Sequence, residues 1–201
     1  MMQRKRRALV LALSLGLALA GCDQLKSSKP AFKGVDLTGA EYARQLNLTD
    51  QDGQARTLGD FKGKVLVVFF GYTQCPDVCP TTMSELAQVK KALGPDGERI
   101  QGIFVTVDPE RDTPALLKAY LASFDPSFVA LRGSPEQTSD AAREFKVYFA
   151  KVPGKTPESY TMDHTAASFL FDVNGRVRVF SRYGAGTQPL MDDLKLLLAE
   201  K

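Results

Sequence analysis

Residues 64–70 read KVLVVFF, a continuous run of β-branched and aromatic side chains behind a single lysine. A strand with one face in water would alternate apolar with polar residues, and this segment does not. We therefore predict a strand that is buried on both faces, as in a sheet covered by helices on each side. A second buried strand is predicted for residues 100–107.

Weaker patterns around these two strands predict the remaining elements. Apolar spacing and prolines in the first turn predict helices at residues 80–93, 112–123, 134–145 and 189–200. Strands are predicted at residues 46–50, 128–131, 168–172 and 176–182, with turns at Asp52-Gly53 and at Val173-Asn174-Gly175. Residues 148–152 and 160–162 are predicted to form a hairpin around Pro153-Gly154-Lys155. This order predicts an α/β fold, a three-layer sandwich with a mixed central sheet.

The first 21 residues are typical of a secretion signal. Four basic residues at positions 4–7 precede an apolar run at residues 8–20, which is shorter than the ~20 residues of a membrane-spanning helix. The run ends in Leu19-Ala20-Gly21-Cys22, which is similar to a bacterial lipobox, where cleavage leaves a lipid on Cys22. An uncleaved anchor, or an ordinary signal peptide with a chance cysteine, is the alternative.

The signal divides the chain into three parts. We predict a lipoprotein signal peptide at residues 1–21, a lipid attachment and tether at residues 22–40, and one domain at residues 41–201. Asp23 resembles a signal for retention in the inner membrane. We therefore expect a lipid-anchored protein on the periplasmic face of the bacterial inner membrane.

The net charge does not indicate binding to nucleic acid, and we expect no nucleic-acid partner. The chain has 26 basic and 23 acidic residues, and the predicted signal holds four of the basic residues and none of the acidic ones. The remaining chain is close to neutral, whereas binding to nucleic acid requires a basic face. We expect a monomer.

Two of the three cysteines, Cys75 and Cys79, lie between the first buried strand and its helix. A cysteine pair at this junction is typical of the thioredoxin-like class, and ligands bind at the edge of an open α/β sheet where parallel strands end. The start of the helix should stabilise a thiolate at Cys79. Because thiolates bind metals and also attack disulfides, this position leaves a metal site and a redox pair open.

The chain's single histidine, His164, precedes the strand predicted at residues 168–172. In a thioredoxin-like topology this loop faces the cysteines, and here it has a histidine where oxidoreductases have a proline. Two thiolates and one imidazole suit a trigonal Cu(I) site, or a Cu(II) site with a further weak ligand. A closed zinc site would need a fourth protein ligand. Met83 and Met162 could approach the metal, but core packing is the favoured interpretation.

Three aspartates are candidates for tuning the site from a second layer. Asp77 lies inside the cysteine loop, where it could tune the metal or recognise a partner. Asp108 ends the second buried strand at the same sheet edge, and it could instead cap the next helix. Asp163 neighbours His164 but should point the other way if the segment is extended.

Three blocks of this sequence resemble the Sco/SenC family of copper-binding proteins. Residues 71–80 (GYTQCPDVCP), 106–114 (TVDPERDTP) and 162–165 (MDHT) are similar to the family's motifs and occur in the same order, within a similarity over residues 46–198. The resemblance implies a thioredoxin-like fold and copper bound by Cys75, Cys79 and His164. It also implies a role in assembling the dinuclear copper site of cytochrome c oxidase subunit II.

Two functional hypotheses follow. The first is a membrane-tethered copper metallochaperone that is not an enzyme in the turnover sense and that receives Cu(I), with Cu(II) also considered, from a periplasmic donor. The second is a thiol-disulfide oxidoreductase or redox sensor in which Cys75 attacks, Cys79 resolves and a periplasmic thiol reductant restores the pair. A structural disulfide is a third interpretation. His164 distinguishes the first two, because a metal site needs the imidazole and dithiol exchange does not.

Overall fold

The computed structural model describes residues 31–156 and 159–200. The predicted signal peptide, Cys22 and the first part of the tether lie outside the described residues. Within the described residues, no helix is both long enough and apolar enough to cross a bilayer.

The described residues form an eight-stranded mixed sheet and a separate two-stranded sheet. The strands are β1 (Val35–Asp36), β2 (Leu48–Asp50), β3 (Ala55–Arg56), β4 (Val65–Gly71), β5 (Ile100–Thr106), β6 (Val129–Arg132), β7 (Phe149–Pro153), β8 (Tyr160–His164), β9 (Ala167–Phe171) and β10 (Val177–Arg182). The large sheet has the order β1-β10-β9-β4-β5-β6-β2-β3, and the small one pairs β7 with β8. β4, β5 and β6 are mutually parallel, and the other pairings are antiparallel.

Four helices cover the large sheet. They are α1 (Val78–Ala92), α2 (Pro114–Ala122), α3 (Pro135–Glu144) and α4 (Thr187–Ala199), with short 3-10 turns at Leu58–Phe61 and Gly94–Arg99. All seven residues of β4 and all seven of β5 are buried, as their apolar runs predict. The predicted three-layer α/β sandwich with a mixed sheet is confirmed, and its order of elements is thioredoxin-like.

Neighbouring phenylalanines on β4 show which helices lie on which face. Phe70 packs on Phe145 at the end of α3, with ring centroids 5.1 Å apart. Phe69, on the opposite face, packs on Phe104 of β5, which in turn contacts Tyr120 of α2 at 5.6 Å. α1 and α4 also pack against each other. Because both faces are sealed by aromatic contacts, the end of β4 is held rigidly.

Local sequence signals set where two helices begin. Thr113 caps α2 through its hydroxyl, which accepts a hydrogen bond from the amide of Leu116. Ser134 caps α3 in the same way and exchanges a reciprocal bond with Gln137. A proline follows each cap, at the first helical position, where its missing amide hydrogen is not needed.

The hairpin before β9 differs from its prediction in extent. β7 and β8 are each one or two residues longer than expected at the carboxyl end, and they form a sheet of their own. His164 is therefore the last residue of a strand, paired with Phe149, and does not lie in a loop. Strand pairing fixes the backbone direction at His164.

The domain begins earlier than the boundary predicted at residue 41. β1, inside the predicted tether, pairs with β10 at the edge of the sheet. The buried carboxylate of Asp193 on α4 accepts hydrogen bonds from the amides of Lys33 (2.6 Å) and Gly34 (2.9 Å). The ring of Phe32, just before β1, lies 5.6 Å from the guanidinium carbon of Arg178 on β10.

A fully buried carboxylate organises the turn between β9 and β10. Asp172 accepts hydrogen bonds from the amides of Asn174 and Arg176, both at 3.0 Å, and from the guanidinium of Arg176 at 2.8 Å. Burial alone would raise the pKa of Asp172, but these donors outweigh it and hold the pKa below its usual range. The group is therefore charged in the folded protein at neutral pH.

We expect Asp172→Asn to lower the free energy of unfolding at pH 7 by about 2–4 kcal/mol, because it removes a buried charge whose donors remain. Since the folded pKa of Asp172 is depressed, its stabilisation is complete above the unfolded pKa of about 4 and is lost as pH falls through the folded pKa. Urea unfolding of both proteins should therefore show a difference in the free energy of unfolding that narrows below about pH 4. Asp140→Asn, at an exposed position, is the matched control, and a difference independent of pH would contradict the assignment.

Candidate metal centre

Three side chains from separate parts of the chain meet beyond the carboxyl end of β4. The sulfur atoms of Cys75 and Cys79 and a ring nitrogen of His164 all lie within 4.8 Å of one another. Cys75 belongs to the loop after β4, Cys79 to the first turn of α1 and His164 to the end of β8. Cys79 is buried, whereas Cys75 and His164 are partly exposed. The cluster is therefore open on the side of Cys75.

The start of α1 stabilises a thiolate at Cys75, although the sequence pointed to Cys79. The helix begins at Val78, and the amide of Cys79 donates to the Cys75 sulfur at 3.4 Å. The Cys79 thiol also donates to this sulfur, and with the amides of Cys79 and Asp77 it outweighs the effect of burial and lowers the pKa of Cys75 to about 4. Cys75 is therefore a thiolate at neutral pH.

Cys79 holds the proton of the pair. The thiolate of Cys75 beside it, together with burial, raises the pKa of Cys79 far above that of an ordinary thiol. The two sulfurs thus share one proton in the metal-free protein. A cation bound between them would displace this proton.

The hydrogen bonding of His164 leaves one ring nitrogen available as a ligand. Its Nδ1 lies 3.2 Å from the carbonyl oxygen of Thr165, and a carbonyl oxygen can only accept. Nδ1 therefore carries a hydrogen in this contact. Nε2, which lies 3.5 Å from the sulfur of Cys79, then presents its lone pair to the cluster.

Aromatic rings and a glycine shape the inner wall of the site. Phe69 and Tyr72 each meet the imidazole of His164 nearly edge to face, with ring centroids 5.8 and 6.0 Å away. A side chain at Gly71 would place its Cβ only 2.8 Å from the sulfur of Cys79, so glycine permits the helix to approach. The wall excludes water from the inner side and fixes the plane of the imidazole.

A sequence model of the family described as SCO1/SenC matches residues 35–199, which is most of the chain. The chain belongs to the SCO1/SenC family. The matched residues include all three members of the cluster and β1, which supports the early start of the domain.

Relatives in the SCO1/SenC family come from bacteria and from mitochondria. The chain is 34% identical to a SCO2-like protein of Rickettsia felis over 75% of its own length and 74% of that protein. It is 39% identical to the mitochondrial SCO2 homolog of Mus musculus, over 65% of this chain and 52% of that protein. The match thus spans only about half of the mouse relative.

Solved structures of family members share the fold. Bradyrhizobium japonicum ScoI with copper bound is 44% identical, with a TM-score of 0.71 over 78% of this chain and 99% of that one. Apo Sco1 from Thermus thermophilus is 36% identical, with a TM-score of 0.73 over 84% of this chain and 97% of that one. Yeast Sco1 with copper bound is 29% identical, with a TM-score of 0.69 over 83% of this chain and 87% of that one.

The three candidate aspartates differ in their burial and in the groups that they contact. Asp77 is exposed in the loop, where its carboxylate accepts weak bonds from Thr81 and Tyr183 at 3.3 and 3.4 Å. Asp163 is exposed on the opposite side of β8 from the buried Met162, as its position in a strand predicts. Asp108 is buried and does not cap α2, because Thr113 does so. It binds Arg111 and the Tyr160 hydroxyl instead.

Asp112, which was not among the candidate residues, fastens the cysteine loop to the sheet. This fully buried carboxylate accepts hydrogen bonds of 2.6 Å from the hydroxyls of Thr73 and Thr106. Burial raises the pKa of Asp112, and the two hydroxyls and the Thr73 amide only partly offset this. In the sequence, Asp112 lies two residues before Pro114, and for this reason it was assigned to the start of the helix predicted at residues 112–123.

Alkylation of the reduced, metal-free protein with iodoacetamide should modify Cys75 before Cys79. Because the pKa of Cys75 is about 4, its rate should be nearly constant between pH 6 and 8, whereas an ordinary thiol reacts about tenfold faster for each pH unit in this range. Tandem mass spectrometry of the peptide that holds both cysteines gives the two rates. The urea-unfolded protein is the control. Equal labelling of the two cysteines in the folded state would contradict the assignment.

Proposed function

We propose that this protein is a copper metallochaperone that holds one Cu(I) ion as cargo between Cys75, Cys79 and His164. The observation that carries this proposal is the meeting of two sulfurs and a ring nitrogen within 4.8 Å. Membership of the SCO1/SenC family and the copper-bound structures of its relatives support it.

The donor set fits Cu(I) better than zinc. Two sulfurs and one imidazole are soft and borderline donors, which match a three-coordinate Cu(I) ion. A structural zinc ion requires four protein ligands, and within the part of the chain that the structure describes the cluster has three histidine, cysteine or carboxylate members. Cu(II) would need an additional weak ligand from water or a partner.

The open side of the cluster suits release of the cargo. Cys75 is partly exposed, whereas Cys79 is buried against the aromatic wall. An acceptor ligand can therefore approach the ion from the side of Cys75 and replace the Cys75 sulfur first. Further acceptor ligands then replace His164 and Cys79. The proton that the two sulfurs share in the metal-free state returns to the pair when the ion leaves.

The acceptor that we propose is the dinuclear copper site of cytochrome c oxidase subunit II, with a separate periplasmic protein as copper donor. Support for this assignment comes from membership of the family. We propose that the protein acts as a monomer, and that it remains on the outer face of the inner membrane while it exchanges copper.

We expect the reduced protein to bind one Cu(I) per chain, and His164→Ala to weaken binding about 10- to 100-fold, because the third ligand is lost. Competition with a coloured Cu(I) chelator under anaerobic conditions measures both affinities. A Cys22→Ser background leaves Cys75 and Cys79 as the remaining cysteines of the chain. Thr165→Ala is a neighbouring control that retains all three ligands. Copper binding indifferent to His164 would overturn the proposal.

One observation favours a second function, thiol-disulfide reduction. Cys75 is a partly exposed thiolate and Cys79 is a protonated thiol in contact with it. The Cys75 sulfur would attack a disulfide of the target and release one target thiol. Cys79 would then lose its proton and displace the second target thiol, so that two electrons pass and a Cys75–Cys79 disulfide forms. This function would survive His164→Ala, whereas tight copper binding would not.

We also propose that Cys22 carries a lipid that tethers the domain to the membrane. The run of apolar residues followed by Leu19-Ala20-Gly21-Cys22 supports this proposal. In a bacterial host the wild-type protein should sediment with membranes, and Cys22→Ser should shift it to the soluble periplasmic fraction or leave it unprocessed. Labelling with a radioactive fatty acid, read on the same gel, should disappear in the variant. Fatty-acid labelling that persists in Cys22→Ser would refute the tether.

A further inference from the structure

We propose that Arg111 is the positioning residue that sets the separation between the cysteine loop and the His164 strand. The expected effect of Arg111 on copper binding rests on the proposed function. The contacts from which its role is inferred are those of the metal-free chain. Arg111 lies in the turn after β5 and is one of the residues between the second buried strand and α2. It does not touch the cluster itself.

One nitrogen of Arg111 joins the two halves of the site. Nη1 donates to the side-chain oxygen of Gln74 at 3.1 Å and to the backbone carbonyl of Tyr160 at 2.9 Å. Gln74 directly precedes Cys75, and Tyr160 is the first residue of the strand that ends at His164. A single planar group therefore bridges the segments that supply the sulfur and nitrogen ligands.

Stacking adds a second set of contacts to this bridge. The guanidinium carbon of Arg111 lies 3.6 Å from the ring centroid of Tyr160 and 5.8 Å from that of Tyr72. Tyr72 in turn packs edge to face on the imidazole of His164. A cation over an aromatic face is stabilised by the ring quadrupole, and more so where water is excluded. A shift of Arg111 would therefore move the Tyr72 ring, which in turn contacts the imidazole of His164.

Asp108 fixes Arg111 to the main sheet. The buried carboxylate of Asp108 accepts a hydrogen bond from Nε of Arg111 and another, of 2.9 Å, from the hydroxyl of Tyr160. The amide of Asp108 donates to the hydroxyl of Thr106, the last residue of β5. Arg111 therefore stands on the rigid end of the sheet, which provides a fixed reference for both segments.

The His164 strand needs such a clamp because, among the residues that the structure describes, backbone pairing does not attach it to the large sheet. Within residues 31–156 and 159–200, β7 and β8 pair only with each other. Side-chain contacts must then hold the hairpin against the cysteine loop. Arg111 makes several of them, and the exposed ion pair between Lys151 and Glu110 adds a weaker one. Loss of the clamp would let His164 move while the cysteines stay in place.

Arginine is required here for its shape as well as for its charge. Nε and Nη1 point in fixed directions toward Asp108 and toward the Gln74–Tyr160 pair, and the flat face stacks on Tyr160. A lysine would keep the ion pair with the buried carboxylate but would lose the fork and the stack. Arg111→Lys therefore keeps the buried charge compensated while removing the clamp.

The test uses the full chain in the Cys22→Ser background, with Arg111→Lys, Arg111→Met and the exposed control Arg143→Met. Cu(I) affinity is measured by chelator competition for each variant, with His164 present and with His164→Ala. We expect Arg111→Lys to weaken binding about 10-fold, within the range for residues that orient metal ligands. In the His164→Ala background the same change should have less than a twofold effect, because there is no imidazole left to position.

Nuclear magnetic resonance of the metal-free protein gives a readout that does not depend on copper. The chain has one histidine, so the ring hydrogens of His164 give a single set of signals. The imidazole lies nearly perpendicular to the rings of Phe69 and Tyr72, with centroids 5.8 and 6.0 Å away, so the chemical shifts of these hydrogens report its position through the ring currents. We expect the signals to shift in Arg111→Lys and Arg111→Met and to stay unchanged in Arg143→Met.

The two readouts separate failure of this inference from failure of the proposed function. Unchanged histidine signals in Arg111→Lys, or a loss of affinity that is equally large without His164, would overturn the positioning role. If the wild type binds no Cu(I), the copper proposal fails, and the histidine signals alone decide the role of Arg111. If Arg111→Met unfolds because Asp108 is left buried without a cation, Arg111→Lys decides.

Discussion

The contact between Cys79 and His164 joins residues that are 85 positions apart in the chain, and the site exists only because the fold between them is complete. Two parallel crossovers, α3 and the β7–β8 hairpin must all be in place before the imidazole meets the sulfur. Ordering so long a segment costs conformational entropy, and the few contacts of the metal-free cluster do not offset it. The burial of apolar side chains on both faces of β4 and β5 offsets this entropy instead.

Sequence patterns predicted the layers of the fold because those patterns are local. The KVLVVFF run, the prolines in the first turns of the helices and the Asn174-Gly175 turn each act within a few residues, and the corresponding elements form where they were expected. The patterns were weaker at the edges of the sheet. β1 has two residues and owes its place to Asp193, which lies 159 positions from Gly34, so no local signal could reveal it.

For the site, the residue types were predictable and their supporting contacts were not. A C-x-x-x-C loop at a strand end and one histidine sufficed to name the three members of the cluster. Which sulfur carries the proton depends on the amide of Cys79 pointing back at Cys75, a direction that spacing does not determine. Asp112 and Arg111 looked like ordinary residues before a helix. Their roles arise from Thr73, Gln74 and Tyr160, which reach them only in the folded chain.

The start of the domain limits how far the cluster could move from the proposed anchor at Cys22. β1 fastens this start to the large sheet, and the Phe32 ring lies over the guanidinium of Arg178. Ten positions separate Cys22 from Phe32, a stretch that can span at most roughly 35 Å when fully extended. With Cys22 as an anchor, the cluster would reach acceptor sites within a thin layer beside the bilayer and not throughout the periplasm. An acceptor standing much higher than that layer would be out of reach.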